Sequence, residues 1–182
     1  MARADGRLTA DLNPQDHGPQ DACGVIGIYA PGEEVSKLTY FGMYALQHRG
    51  QESAGMAVSD GRHMMVFKDM GLVSQVFDEA TLNSLQGHMA VGHTRYSTTG
   101  ASIWDNAQPT FRSRQGGDGL ALAHNGNLTN TGALEALIAE RAPDTEVPHK
   151  DRMDSSNDTS LVTALMTTYD GTLEEVAAQV LP

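Results

Sequence analysis

The pattern of apolar and polar positions changes between two periods along the 182-residue chain. Short apolar runs rich in β-branched residues, bounded by Gly, Pro or Asp, predict strands, at 23–29, 54–59, 63–68, 88–94, 110–113 and 119–124. Apolar residues spaced three and four apart predict helices, at 34–47, 131–141, 158–169 and 173–180. The strands and helices come in blocks rather than in strict alternation, which indicates an α+β layered fold.

Residues 1–22 differ from the rest of the chain. They are rich in Asp, Gly, Pro, Gln and Asn and offer almost nothing to bury, so this segment cannot offset its ordering entropy. An apolar strand pattern begins abruptly at Cys23. We expect 1–22 to be a removable leader and 23–182 to be the working domain. The final helical pattern stops at Leu181-Pro182 without a cap, which we interpret as a C-terminally incomplete domain.

Composition excludes several classes of function. Lys and Arg number 12 against 23 Asp and Glu, a net charge of −11, and the basic residues do not cluster, so we expect no nucleic-acid partner. No apolar run reaches the roughly 20 residues that span a bilayer, and no signal-peptide pattern is present. A single cysteine forms no internal disulfide, and the histidines lack zinc-site spacing. We therefore expect a cytoplasmic protein without a metal site.

Cys23 is the first candidate for chemistry. A lone cysteine in a strand is more often a small buried apolar residue than a nucleophile. Removal of the leader would, however, give Cys23 a free α-amino group beside its thiol. Such an amine titrates at about 7.7–8.0 and a thiol at about 8.5. The amine is then suited to take the thiol proton at neutral pH, as in enzymes with an N-terminal nucleophile.

Three polar sites follow predicted strands or precede a helix. Arg95 lies where the strand 88–94 runs out, and it is either a surface arginine or a bidentate carboxylate ligand. Asn125-Gly126 is either a hairpin turn or an oxyanion hole, since glycine permits close approach and an unusual backbone angle. A helical pattern rather than a strand follows it, which favours the oxyanion hole. Asp158 is an N-cap, a ligand for a substrate ammonium group, or both.

Five stretches together resemble the class II (N-terminal-nucleophile) glutamine amidotransferases, and within that class the enzymes that open purine biosynthesis. They are CGVIGIY from Cys23, LQHRGQESAGMAV from Leu46, GHTRYSTTG from Gly92, AHNGNLTN from Ala123 and the NDT turn at Asn157. The resemblance covers residues 21–181, with the motifs in matching order. It implies a four-layer α/β/β/α N-terminal-nucleophile hydrolase fold with two stacked antiparallel sheets.

The resemblance also implies a role for individual residues. It makes Cys23 the nucleophile, and it makes Asn125 with Gly126 the oxyanion hole. Residues implied to bind L-glutamine are Arg95 and Thr98 for the α-carboxylate, Asp158 for the α-ammonium group, and Arg49 with Gly50 in the loop beside the nucleophile. Glutamine would be hydrolysed to glutamate and ammonia through a γ-glutamyl thioester.

In the family, a phosphoribosyltransferase domain passes the ammonia to phosphoribosyl pyrophosphate to give 5-phosphoribosylamine. This domain is absent from the 182 residues, and so are the cysteines that ligate an iron–sulfur cluster in some relatives. The resemblance therefore implies Mg²⁺, an iron–sulfur cluster and homo-oligomerisation only for the full-length enzyme. Two alternatives stay open: an inactive or glutamine-binding fragment, and a related sugar-phosphate-aminating synthase.

Overall fold

The computed structural model describes residues 23–96, 102–114, 119–143 and 158–180. The expected leader 1–22 and the predicted carboxylate ligand Thr98 lie outside these residues.

A four-stranded antiparallel sheet forms the first half of the molecule. Its strands are β1 (Gly24–Tyr29), β2 (Ser53–Ser59), β3 (Met64–Met70) and β4 (Met89–Arg95), in the order β1-β4-β2-β3. The predicted hairpin joins β2 to β3, where the Asp60 carboxylate accepts hydrogen bonds from the backbone N–H groups of Arg62 and His63. In register, Gly24 at the start of β1 pairs with Thr94 near the end of β4. This pairing brings Cys23 to the same end of the sheet as Arg95, the last residue of β4.

Helix α1 (Val35–Leu46) packs on β1 and β4 through its buried residues, which include Val35, Thr39 and Met43. Two short helices, α2 (Val73–Val76) and α3 (Glu79–Ser84), follow β3. The sequence reading missed both, because four and six residues are too few to show a helical period. The Asp78 side chain caps α3 by accepting from the backbone N–H of Thr81. These helices close a core cluster that includes Val73, Phe77 and Leu82.

The second half contains a two-stranded antiparallel sheet, β5 (Thr110–Ser113) and β6 (Gly119–Leu122). A 3₁₀ turn at Trp104–Asn106 precedes it. Helices α4 (Thr131–Arg141), α5 (Asp158–Thr167) and α6 (Leu173–Val180) complete the described chain. Strand β6 ends two residues before the predicted limit of 124, and α5 ends two before 169. The first difference leaves Ala123 and His124 in a loop.

These elements confirm the predicted α+β class and agree with four layers. Helix α1 covers one face of the first sheet, and α5 packs on the second sheet. A cavity of about 880 Å³ lies between the two sheets, lined by apolar residues of both, including Ile28, Val58, Val91 and Leu120. It lies at the end of β1 and β4 that is remote from Cys23 and Arg95. Among the described helices, none combines the length and apolarity that crossing a bilayer requires.

Candidate active site

Cys23 stands immediately before β1 and is half-buried. Its Sγ lies 3.4 Å from both the backbone nitrogen and the carbonyl oxygen of Tyr96, the residue that follows β4. This contact joins residues 73 positions apart, and it follows from the antiparallel pairing of β1 with β4. The thiol is therefore held at the end of the sheet rather than inside the core, unlike a cysteine that serves only as a packing residue.

The carbonyl oxygen of Cys23 accepts two hydrogen bonds from distant segments. Arg49 Nε donates at 3.2 Å and Asn125 Nδ2 donates at 2.5 Å. The partners lie 26 and 102 positions away along the chain, so the fold brings these segments together at this end of the sheet. An asparagine amide carries two N–H groups, so Asn125 can donate to a second acceptor while it holds Cys23.

Gly50 explains why the turn after α1 can reach Cys23. Gly50 is buried, and a Cβ added to it would lie 2.5 Å from the carbonyl carbon and oxygen of Thr94 and 2.8 Å from the backbone nitrogen of Arg95. Any side chain here would displace the backbone of β4. Glycine thus permits the neighbouring Arg49 to extend its guanidinium over the Cys23 carbonyl.

Arg95 ends β4 and is 7% exposed, so it is not the surface arginine of the alternative reading. Its Nη1 lies 3.0 Å from Oε2 of Glu52, and both side chains are largely shielded from water. The guanidinium group carries five N–H donors in a planar fork. An ion pair of this kind fixes the orientation of the fork, which matters for bidentate binding of a carboxylate.

Asn125 and Gly126 are exposed and lie in the loop between β6 and α4, so this Asn-Gly pair is not the turn of a hairpin. Gly126 is not among the described glycines with positive φ. A Cβ added to it would lie 2.6 Å from Nε2 of His124, so the position of this imidazole is one physical reason for a glycine there. Close approach of a ligand stays a prediction.

Asp158 opens α5 and faces the same loop. Its Oδ2 accepts a hydrogen bond from the backbone N–H of Leu128 at 2.6 Å, and its Oδ1 lies 4.0 Å from Nδ1 of His124. The carboxylate therefore ties the start of α5 to the loop that carries Asn125. Whether it also receives a substrate ammonium group stays a prediction.

Beneath this edge, His93 on β4 is fully buried. Neither of its ring nitrogens makes a hydrogen bond of normal geometry among the described residues, although the backbone of His124 lies near the ring. Burial lowers the pKa of His93 from 6.5 to about 4, and the backbone of His124 offsets only part of this effect. His93 is therefore neutral at pH 7 and adds no positive charge beside Arg95.

Sequence reasoning did not single out Glu52, Gln108 or His93 as members of this region. Glu52 became recognisable only through strand order, since pairing of β2 with β4 sets Ser53 opposite Arg95. The oxygen of the Gln108 side chain accepts from the backbone N–H of His124, a contact that no local pattern indicates. In the described part of the chain, no group of three or more His, Cys, Asp or Glu could hold a metal ion.

No protein-family model matches the chain. The chain is 53% identical over 184 residues to an amidophosphoribosyltransferase of Mycobacterium bovis, a match that covers 96% of this chain and 33% of that protein. It is 63% identical over 123 residues to an amidophosphoribosyltransferase of Synechocystis, covering 68% of this chain and 25% of that protein.

A solved structure is also similar: the glutamine phosphoribosylpyrophosphate amidotransferase of Bacillus subtilis, complexed with ADP and GMP. The TM-score is 0.69 at 34% sequence identity, and the match covers 86% of this chain and 32% of that one. The chain thus spans about a third of the length of the relatives that it matches. These relatives favour the purine-biosynthetic branch over the sugar-phosphate-aminating branch. By sequence and by fold, the chain belongs to the amidophosphoribosyltransferase family and corresponds to the N-terminal third of its members.

Proposed function

We propose that this chain is a glutaminase domain in which Cys23 attacks the side-chain carboxamide of L-glutamine. The observation that carries the proposal is the convergence of Arg49, Tyr96 and Asn125 on Cys23 from three separate segments. A half-buried thiol at a strand end, with hydrogen-bond donors from separate segments close to it, supports a role in acyl transfer.

The proposed reaction begins once residues 1–22 are removed and Cys23 carries a free α-amine. The amine takes the thiol proton, and Sγ bonds to the carboxamide carbon of glutamine. Asn125 Nδ2 and the backbone N–H of Gly126 stabilise the resulting oxyanion. The C–N bond then breaks, the amine returns its proton to the leaving nitrogen, and ammonia departs. Water attacks the γ-glutamyl thioester, which releases glutamate and restores the thiol.

Substrate orientation falls to charged groups on either side of Cys23. We assign the α-carboxylate of glutamine to Arg95, whose fork is fixed by Glu52, with help from Thr98. We assign the α-ammonium group to Asp158, and the loop at Arg49 and Gly50 to the wall beside the nucleophile. Arg95 and Asp158 together would anchor the α-carbon end of glutamine, so that the carboxamide at its other end lies in reach of the thiol. Orientation of this kind supplies part of the rate enhancement.

We further propose that the ammonia reacts with phosphoribosyl pyrophosphate to give 5-phosphoribosylamine. This reaction belongs to the part of the family's length that these 182 residues do not cover. The oligomeric assembly and a cytoplasmic location belong to the same proposal. Mg²⁺ and an iron–sulfur cluster do not fit the residues here: Cys23 is the single cysteine, and the described part of the chain holds no cluster of metal-ligating side chains.

Mass spectrometry and glutamate assay of the purified protein test the glutaminase. We expect a mature N-terminus at Cys23, release of glutamate and ammonia from glutamine, and one covalent adduct at Cys23 with a glutamine-like diazoketone. Cys23→Ala should lose at least about 10⁴-fold in kcat, as removal of a nucleophile does elsewhere. Glutamine-dependent thermal stabilisation without turnover or adduct would replace the proposal with a glutamine-binding protein.

A further inference from the structure

We propose that Gln108 is a positioning residue for the loop that carries Asn125 and Gly126, and that it transfers the rigidity of the four-stranded sheet to that loop. The proposal rests on the glutaminase function proposed above, because positioning matters only if this loop binds an oxyanion.

The contact itself is a partly buried hydrogen bond of ordinary length. The backbone N–H of His124 donates to Oε1 of Gln108 at 2.8 Å, and Gln108 is 7% exposed. His124 directly precedes Asn125, so this hydrogen bond fixes the backbone at the point where the loop begins. Asp158 accepts from the backbone N–H of Leu128 at 2.6 Å on the other side. Side chains from elsewhere in the fold thus hold the loop before Asn125 and after Gly126.

The segment that carries Gln108 is itself attached to the first sheet. Lys68 Nζ on β3 donates to the carbonyl oxygen of Ala107 at 2.6 Å, and Trp104 Nε1 donates to the carbonyl oxygen of Lys68 at 3.0 Å. A Cβ added to Gly55 on β2 would lie 2.3 Å from the carbonyl oxygen of Gln108. Gly55 therefore lets the backbone of Gln108 rest directly on the central strand of the sheet.

This attachment matters because the loop has little support of its own. Asn125 and Gly126 are exposed, and β6 before them is only four half-buried residues long. An oxyanion hole must be preorganised, since donors that reorient during the reaction lose most of their effect. The route from β2 through Gln108 to His124 supplies the missing rigidity.

Gln108→Met tests the proposal because it keeps the length and much of the volume of the side chain but removes the acceptor. Gln108→Glu restores an acceptor oxygen at the same position. The exposed Gln86→Met is the matched control, since it makes the same exchange far from the loop. Each variant is compared with the unaltered protein in glutamine kinetics and in alkylation of Cys23.

We expect Gln108→Met to lower kcat about 10- to 100-fold with KM for glutamine changed less than about threefold, because a displaced oxyanion donor acts on the transition state. Labelling by the diazoketone should slow in parallel, whereas iodoacetamide, which needs no oxyanion hole, should alkylate Cys23 at the unaltered rate. Gln108→Glu should recover most of the loss, and Gln86→Met should show none. Unchanged kcat in Gln108→Met, or an equal loss of iodoacetamide reactivity, would overturn the proposal.

Amide hydrogen exchange separates this proposal from the proposed function. In Gln108→Met the backbone N–H of His124 should exchange at least about tenfold faster, with the N–H groups of β2 unaltered. If the unaltered protein shows no glutaminase activity, the function fails, yet faster exchange at His124 still supports the attachment through Gln108. If exchange at His124 does not change, the attachment is wrong whatever the activity.

Discussion

The two halves of the candidate active site rest on unequal supports. Cys23 and Arg95 stand at the end of a four-stranded sheet whose central strand β2 has six consecutive buried residues. Asn125 and Gly126 follow β6, in which no residue is fully buried, and α4 after them buries only Ile138 completely. The sheet that carries Cys23 is thus held by packing, whereas the proposed oxyanion loop is held by hydrogen bonds from outside. Stability and catalysis should therefore respond differently to changes in the two halves.

Truncation of one core residue in each half should give the largest contrast. Met56 on β2 is fully buried, and Met56→Ala should lower the free energy of unfolding by about 3–4 kcal/mol, through lost burial and a residual cavity. Leu120 on β6 is half-buried and lines the cavity between the sheets, so Leu120→Ala should cost only about 1 kcal/mol. Urea unfolding measures both. Equal losses would show that the two halves are equally well packed.

His93 lies where the two halves of the molecule meet, and we expect acid to weaken the contact between them. Its pKa falls from 6.5 to about 4 on folding because of burial, so between these values the unfolded chain binds the proton more readily. The stabilisation that comes from this neutral imidazole is complete above about pH 6.5. It is lost as the pH falls toward 4, which lowers the free energy of unfolding by roughly 3 kcal/mol.

Urea unfolding of the unaltered protein and of His93→Gln, at several pH values from 7 to 4, measures this contribution. The variant should lose part of the pH dependence between 6.5 and 4, whereas the exposed His48→Gln should retain it. If the free energy of unfolding depends on pH identically in His93→Gln and in the unaltered protein, a neutral buried imidazole between the two halves is contradicted.

The sequence predicts the longer strands and helices of both halves but misses two short helices of the first half, for a physical reason. The alternating or β-branched runs of β1 to β4 and the three-four spacing of α1 are local signals, and each produced the element that the structure contains. The short helices α2 and α3 carry no full period, so their existence depends on packing against β2 and β3. In the second half the end of β6 is set by the loop contacts of His124, which are non-local.

The candidate site divides in the same way. Cys23, Arg95, Asn125 and Asp158 stand out as chemically capable residues at element ends, and the first three follow or precede predicted strands. The partners of these residues do not stand out. Glu52 meets Arg95 through strand order, and Gln108 meets His124 across two segments. Sequence patterns identify groups that could react, but only the fold reveals which side chains orient them.

Glu52 offers a smaller test, on the well-supported side of the site. Glu52→Gln keeps the size of the side chain but removes the negative charge that orients Arg95. We expect kcat/KM for glutamine to fall about tenfold, or about 1.4 kcal/mol, mainly through a higher KM. Steady-state kinetics on the unaltered protein, Glu52→Gln and Arg95→Met provide the comparison. Arg95→Met should lose more, and Glu52→Gln should add little to it in the double variant, because the two side chains act as a pair. Additive losses would contradict a role for Glu52 through Arg95.

A change at Lys68 should give the smallest effect, because Lys68 supports the segment that carries Gln108 rather than the loop that carries Asn125. Its ammonium group donates to the carbonyl oxygen of Ala107 and lies 4.7 Å from the centroid of the Trp104 ring. Burial lowers the pKa of Lys68, with Asp105 partly opposing the shift, so the charge is held at a cost that offsets much of the contact. Lys68→Met should therefore reduce stability by only about 0.5–1 kcal/mol.

Trp104 reports on this change directly, since it is the single tryptophan of the chain. Its fluorescence emission should shift to longer wavelength in Lys68→Met as the ring leaves the lysine and gains water. Lys37→Met on α1, where the lysine pairs with the exposed Glu34, should leave both the emission and the stability unaltered. Because Gly55 still admits the backbone of Gln108 against β2, kcat for glutamine should fall less in Lys68→Met than in Gln108→Met. A larger loss in Lys68→Met would mean that the loop is held mainly through β3, and the weaker half of the site would then depend on the edge strand of the sheet rather than on its centre.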